Sequence, residues 1–285
     1  MLRESNYQVG ALNIAALEFG EQKTADLSVV FLHGWLDNAA SFQPLMNVLS
    51  HQSATLHGCA IDFPGHGLSS HKRPFSYYPF HDYIDDVFQF LTVLSPNRLI
   101  LVGHSLGALV ASCYSAAFPE QVAGLVQIEG VGPLAESPSH TVARLRKGVM
   151  SRQRIRRKPQ RHFSSLEEMV ARRAQTNGLT AAEILPIVER AAMQRENGWC
   201  WRHDVALQSD SLYRMSEQQA MQINQAIECP MLTILGDKGF EYLRTSASQP
   251  LATDCQLVTI AGGHHCHLQQ PEEVCELIFG WVNKI

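Results

Sequence analysis

Short, almost unbroken apolar runs recur along the chain, and each ends in glycine or polar residues. Leu27 to Leu32 reads LSVVFL and is followed at once by His33-Gly34. Cys59-Ala60-Ile61 precedes Asp62, Leu99 to Val102 precedes Gly103, and Val122 to Ile128 precedes Glu129. Met231 to Leu235 precedes Gly236, and Leu257 to Ile260 precedes Ala261. Runs this short, rich in β-branched residues and without polar alternation, predict strands buried on both faces. Helical periodicity lies between them, over Ser41 to Leu49, Asp82 to Leu94 and Leu106 to Phe118. A last helix opens at Pro271, with Glu272 and Glu273 in its first turn. Strand alternating with helix predicts an α/β fold, a mostly parallel sheet with helices on both faces. Ligands of such sheets sit beyond the carboxyl ends of the strands, where the polar end of each run falls.

From about Pro133 to Ala226 the rhythm changes to helical periodicity with few strand signals. The expected organisation is therefore a core built from residues 1–132 and 227–285, with a helical cap inserted over 133–226. Arg144 to Arg161 carries Arg144, Arg146, Lys147, Arg152, Arg154, Arg156, Arg157, Lys158 and Arg161 with no acidic residue. Such a stretch suits an anionic substrate, a phosphate or an acidic partner surface, or else is a solvated helix face. The solvated face is favoured, because the chain as a whole carries a net charge of −4. No internal repeat or low-complexity segment stands out.

With 285 residues, 45% apolar and 18% charged, the chain can bury a sizeable core. Its negative charge gives no reason to expect nucleic acid as a partner. Seven cysteines are scattered without a C-x-x-C pair, which points to a reduced, cytoplasmic protein. MLRESNYQVG at the start lacks the apolar centre of an export signal. No uncharged apolar stretch approaches the ~20 residues of a membrane span. Oligomeric state leaves no mark in the sequence.

The candidate chemistry begins at LVGHSLGA, residues 101 to 108, where a strand gives way to a helix. A G-x-S-x-G match arises by chance about 0.1 times in a chain of this length, so context decides. A serine held on a sharp strand-to-helix turn projects its hydroxyl from the top of the sheet. Gly103 and Gly107 remove the side chains that would collide there. A helix-capping serine would explain Ser105 but not the paired glycines.

The order His33-Gly34-Trp35, then Asp62-Phe63-Pro64-Gly65-His66-Gly67-Leu68-Ser69, then Gly103-His104-Ser105-Leu106-Gly107, then His264 before Leu268-Gln269-Gln270-Pro271, resembles the α/β-hydrolase fold superfamily over nearly the whole length. LHGWLDNAASF, DFPGHGLSSH and HHCHLQQP look most similar to its serine hydrolase-like branch. The resemblance implies Ser105 as nucleophile and His264 as its base, with His265 the runner-up. His104 is expected to pack in the sheet. The polar run from Asp62 is expected to shape the loop beside the site.

The third triad member departs from the pattern, since the position that usually carries the acid is Gly239. Asp237 lies two residues earlier. Glu129 ends the preceding core strand, from which some branches supply the acid. Glu129 is favoured, because a carboxylate after Val126 and Ile128 is costly without a partner. The backbone N–H groups of Trp35 and Leu106 are the expected oxyanion donors. Trp35, His33 and Trp201 are candidates for touching substrate, while Trp199, Trp201, Arg202 and Asp204 are expected mainly to anchor the cap. The histidines of HHCH lack a spaced second pair, so neither metal nor cofactor is expected.

These residues together imply a serine hydrolase acting on a small-molecule ester or similar acyl bond through an acyl-enzyme. The alternatives are carbon–carbon bond hydrolysis or perhydrolysis with the same triad, or a non-catalytic small-molecule-binding homologue with a silent triad.

Overall fold

The computed structural model describes residues 1–52, 55–246 and 255–285. Ten strands are present among them: β1 (Arg3–Val9), β2 (Leu12–Phe19), β3 (Leu27–Leu32), β4 (Leu56–Ile61), β5 (Leu99–His104), β6 (Gly124–Ile128), β7 (Ala192–Arg195), β8 (Gly198–Trp201), β9 (Met231–Gly236) and β10 (Cys255–Ile260). Eight of them form one sheet in the order β1-β2-β4-β3-β5-β6-β9-β10. The first two strands run antiparallel, and every pair from β4 to β10 is parallel.

Alternate residues of the central strands serve opposite layers, as a period of two requires. Val29 and Phe31 of β3 pack with α1 (Gln43–Leu49), the turn before it and the C-terminal helix, through Leu45, Phe42, Ile278 and Trp281. Val30 and Leu32 face α2 (Asp82–Leu94) and α3 (Leu106–Ala117), through Val87, Phe90, Val110 and Tyr114. Each such side chain taken from water stabilises the fold by about 1.5–3 kcal/mol. This double cover explains why the runs are apolar throughout.

Two core strands have no counterpart among the predicted elements. Along β1 the residues RESNYQV are mostly polar and exposed. As the sheet edge it needs no continuous apolar face, so it leaves no apolar run. β2 pairs with it and with β4 in the opposite direction.

Between β6 and β9 lie α4 (Thr141–Arg156), α5 (Leu166–Asn177), α6 (Ala181–Ala191) and α7 (Glu217–Gln225). The same segment holds β7 and β8, a short hairpin whose turn signal, Asn197-Gly198, the sequence carries. Phe163, Met169, Val170, Ile184, Ile187 and Val188 make a separate small core that also takes Leu268. Polar ties hold this unit to the sheet. Asn38 Nδ2 donates to the Ile187 carbonyl at 2.8 Å, and Arg190 Nε reaches both Asp62 oxygens at 3.0 Å. Asp62 also accepts the backbone N–H groups of Ala39 and Leu68, so the DFPGHG run works as a buried anchor. After β9 follow α8 (Glu241–Ser246), and after β10 the short α9 (Cys266–Gln269) and α10 (Pro271–Val282).

Candidate active site

Ser105 sits between β5 and α3 with φ 50° and ψ −117°, a conformation costly for any residue with a side chain. Tight packing enforces it. A Cβ on Gly107 would lie 1.8 Å from the Leu32 carbonyl oxygen, and one on Gly103 2.4 Å from the Ala108 nitrogen. The Ser105 N–H is bound to the Ile128 carbonyl at 2.9 Å, which ties the turn to the end of β6. Ser105 is half-buried, and its hydroxyl has no hydrogen-bond partner among the described residues.

Glu129, the residue after β6, also holds a positive φ, 49°. Its carboxylate is buried yet fully engaged. Oε1 accepts the Gly236 N–H at 2.7 Å, and Oε2 accepts the Phe240 N–H at 3.2 Å. His264 Nδ1 lies 3.2 Å from Oε2. Donation from Nδ1 fixes the tautomer that leaves Nε2 as a proton acceptor. Gly239 belongs to the same arrangement, because a Cβ there would lie 2.1 Å from Glu129 Oε1. The carboxylate from β6 fills the space that a side chain at 239 would occupy. Asp237 is exposed and accepts the Gly262 N–H at 2.8 Å, bracing the loop that carries His264 without touching the imidazole.

His104 is buried, and its Nε2 is 2.8 Å from the His264 carbonyl, linking the residue before Ser105 to the base loop. The His264 ring packs 4.3 Å from Phe240 and 4.9 Å from His104, centroid to centroid. His265 is committed elsewhere, to Asp37 Oδ2 at 3.1 Å and to Asn177.

The expected oxyanion donors lie after β3 and at the start of α3. Leu106 opens α3, so its N–H has no acceptor within the helix. Trp35 follows Gly34 at the end of β3, and the next residue, Leu36, has φ 61°. The Trp35 indole is half-exposed and donates to the Leu207 carbonyl at 3.0 Å. His33, expected at the substrate, is fully buried instead. Its Nδ1 lies 2.7 Å from the Gly34 carbonyl and its Nε2 accepts the Phe63 N–H at 3.0 Å, which makes it a strut beneath the loop. Trp201 stands on β8, edge-on to Phe163 and stacked with His203. Asp204 accepts the Tyr78 hydroxyl proton, and its N–H is bound to Gly65. Arg202 holds the carbonyls of Ala191 and Ala192.

One group escaped the sequence reading. Asp37, His104 and His265 bring ligand-type atoms within 4.8 Å of one another, all buried. A cation could use this donor set, but Arg173 already lies 2.7 Å from Asp37 Oδ1 and supplies the positive charge. Burial by itself would raise the Asp37 carboxyl, yet His265, Arg173 and His104 outweigh it and hold it well below the usual range. Burial and the neighbouring rings of His267, His265 and His264 push the His104 imidazole down. The group therefore reads as a clamp joining the Trp35 loop, the elbow, the base loop and α5. Nothing in the sequence pairs Asp37 with residues 228 positions away.

Comparison with known proteins identifies the family and the fold. Residues 29–277 match the model of the Alpha/beta hydrolase family. The serine hydrolase-like protein of Danio rerio is 27% identical over 262 residues, 88% of this chain and 79% of its own length. Serine hydrolase-like protein 2 of Homo sapiens is 25% identical, over 89% and 86%. Among solved structures, the hypothetical protein PA1622 of Pseudomonas aeruginosa PAO1 superposes with a TM-score of 0.89 at 28% identity, covering 99% of both chains. The chain thus belongs to the alpha/beta hydrolase family, and is similar to the family's serine hydrolase-like proteins.

Proposed function

We propose that the protein is a serine hydrolase that cleaves a small-molecule carboxylic ester or a similar acyl bond through an acyl-enzyme. One observation carries this reading above the others: His264 is oriented by a buried carboxylate, Glu129, and its carbonyl is tied to His104, the residue before a serine held at a strained strand-to-helix turn. Binding of substrate brings the Ser105 hydroxyl into contact with His264 Nε2, an approach that empty sites commonly leave open. The imidazole takes the proton as Oγ attacks the acyl carbon. Glu129, still ionised, offsets the imidazolium charge. The N–H groups of Trp35 and Leu106 receive the oxyanion, and donors of this kind are worth about 3–4 kcal/mol each in the transition state. His264 then protonates the leaving alcohol. The same ring activates water, which hydrolyses the acyl-serine and returns the enzyme.

No metal or organic cofactor enters these steps. No disulfide joins the described cysteines, which suits a reducing compartment such as the cytoplasm, and no helix among the described residues is long and apolar enough to cross a membrane. Short- and long-chain p-nitrophenyl esters test the reading. A burst of p-nitrophenolate, one per chain, is expected, followed by slower turnover, and Ser105→Ala removes both phases. Undiminished hydrolysis by Ser105→Ala contradicts it.

A further inference from the structure

The basic stretch noted in the sequence continues past α4 into a cleft beside the Trp35–Leu36 turn. The inner part, about 190 Å³, is walled by Leu36, Phe163, Ile187, Trp201, Arg172 and Arg173, among others. It adjoins an outer part of about 570 Å³ with which it shares Arg161, Phe163, Trp201, His203 and Gln208. Leu36 directly follows Trp35, the proposed oxyanion donor. The Trp35 indole donates to Leu207, the neighbour of Gln208. The cleft therefore reaches the residue next to Trp35 in the chain, while Ser105, Leu106 and His264 are not among its lining residues.

Its charges do not balance. Arg172 is paired with Glu168 at 3.0 Å and Arg173 with Asp37. Lys158, Arg161 and Arg202 have no carboxylate partner among the described residues. Lys158 binds the Gln208 amide oxygen, Arg202 Nε binds a carbonyl, and the Arg161 guanidinium stands 5.1 Å over the Phe163 ring. Asp204 is the one acidic residue on this wall, already engaged by Tyr78. Burial, followed by Arg173 and His71, holds His203 down at about 4, so its neutral ring stacks on Trp201. The floor is aromatic and apolar while the rim is cationic. That combination suits an anion carried on an apolar chain or ring.

We infer that this cleft binds an anionic group of the substrate, a carboxylate or phosphate on an apolar arm, so that the preferred esters are anionic. The inference rests on the Ser105 reading and adds the chemical class of the substrate. Isothermal titration of the whole protein with 4-phenylbutyrate, 4-phenylbutyl phosphate and 4-phenylbutanol separates charge from apolar fit. At least one anion is expected to bind tenfold or more tightly than the alcohol. The margin shrinks between about 20 and 500 mM salt, and the tighter anion tells carboxylate from phosphate. In exposed-site variant Arg161→Gln with Lys158→Gln the margin disappears.

Kinetics must follow. Mono-p-nitrophenyl adipate should show a tenfold higher kcat/KM than its methyl ester, and the double variant should lose that preference while hydrolysing the methyl ester as before. Equal binding of the alcohol, a preference that survives the double variant, or binding without the kinetic preference overturns the proposal. Failure of the hydrolase reading registers separately, as an absence of covalent labelling at Ser105 by a fluorophosphonate.

Discussion

Glu129→Gln is expected to lower kcat by about 10³- to 10⁴-fold with little change in KM, the scale on which triad acids act. The amide keeps the shape of the carboxylate and can still receive one N–H. It carries no charge to offset the imidazolium, and its NH₂ group turned toward His264 favours the wrong tautomer. Asp237→Asn should stay within about threefold, since Asp237 meets only the Gly262 N–H. The reverse pair of results would move the acid to Asp237. A reciprocal exchange probes the same space. Gly239→Asp alone cannot be accommodated beside Glu129, whose Oε1 stands 2.1 Å from the would-be Cβ, and should be nearly inactive. Glu129→Gly with Gly239→Asp frees that space, and glycine suits the φ of 49° at position 129. The double variant should exceed Glu129→Gly at least tenfold in kcat; additive losses would show that the two positions do not share one role.

Acid is expected to destabilise the fold steeply, well above the range where carboxylates titrate. Burial, the leading cause in each case, depresses the imidazoles of His33, His66 and His104, and holds His267 at about 3. In the unfolded chain these rings titrate near 6.5. Below that pH the unfolded state takes up protons that the folded state refuses, so stability is present above about 6.5 and is lost as pH falls. Each fully neutral ring costs about 1.4 kcal/mol per pH unit. Several together should lower Tm by at least about 10 °C between pH 7 and pH 5 in differential scanning calorimetry. His267, whose ring nitrogens are buried without hydrogen-bond partners among the described residues, beside Phe42, offers a control: His267→Leu should make the slope shallower. A Tm independent of pH over this window would contradict the burial assigned to these rings.

How much of this could be read from the chain follows from what each contact leaves behind. The central strands are covered on both faces, so LSVVFL and its counterparts announce themselves. Edge strand β1 packs only Tyr7 and Val9 against the α2 layer and leaves most of its other residues exposed, so it is silent. Gly103 and Gly107 betray the elbow because a Cβ at either place would lie 2.4 and 1.8 Å from a backbone carbonyl oxygen. Glu129 was legible as a carboxylate too costly to bury alone, and Gly239 as a departure from the usual pattern. That the two are one feature emerges only in space. Likewise the clamp of Asp37, His104, His265 and Arg173 joins four separate segments, and no local spacing encodes it. His33 illustrates the opposite case: a histidine beside the oxyanion loop invites a substrate role, while two backbone hydrogen bonds give it a structural one.

The central claim is that Ser105 is a nucleophile activated by His264 with Glu129 behind it. Reaction of the intact protein with a fluorophosphonate, followed by mass spectrometry of the peptides and by the rate of adduct formation, tests it most directly. The expected result is one phosphonyl group per chain, located on Ser105, forming orders of magnitude more slowly in Glu129→Gln and His264→Ala. An adduct on a different residue, or labelling of Ser105 at an unchanged rate in both variants, would contradict it.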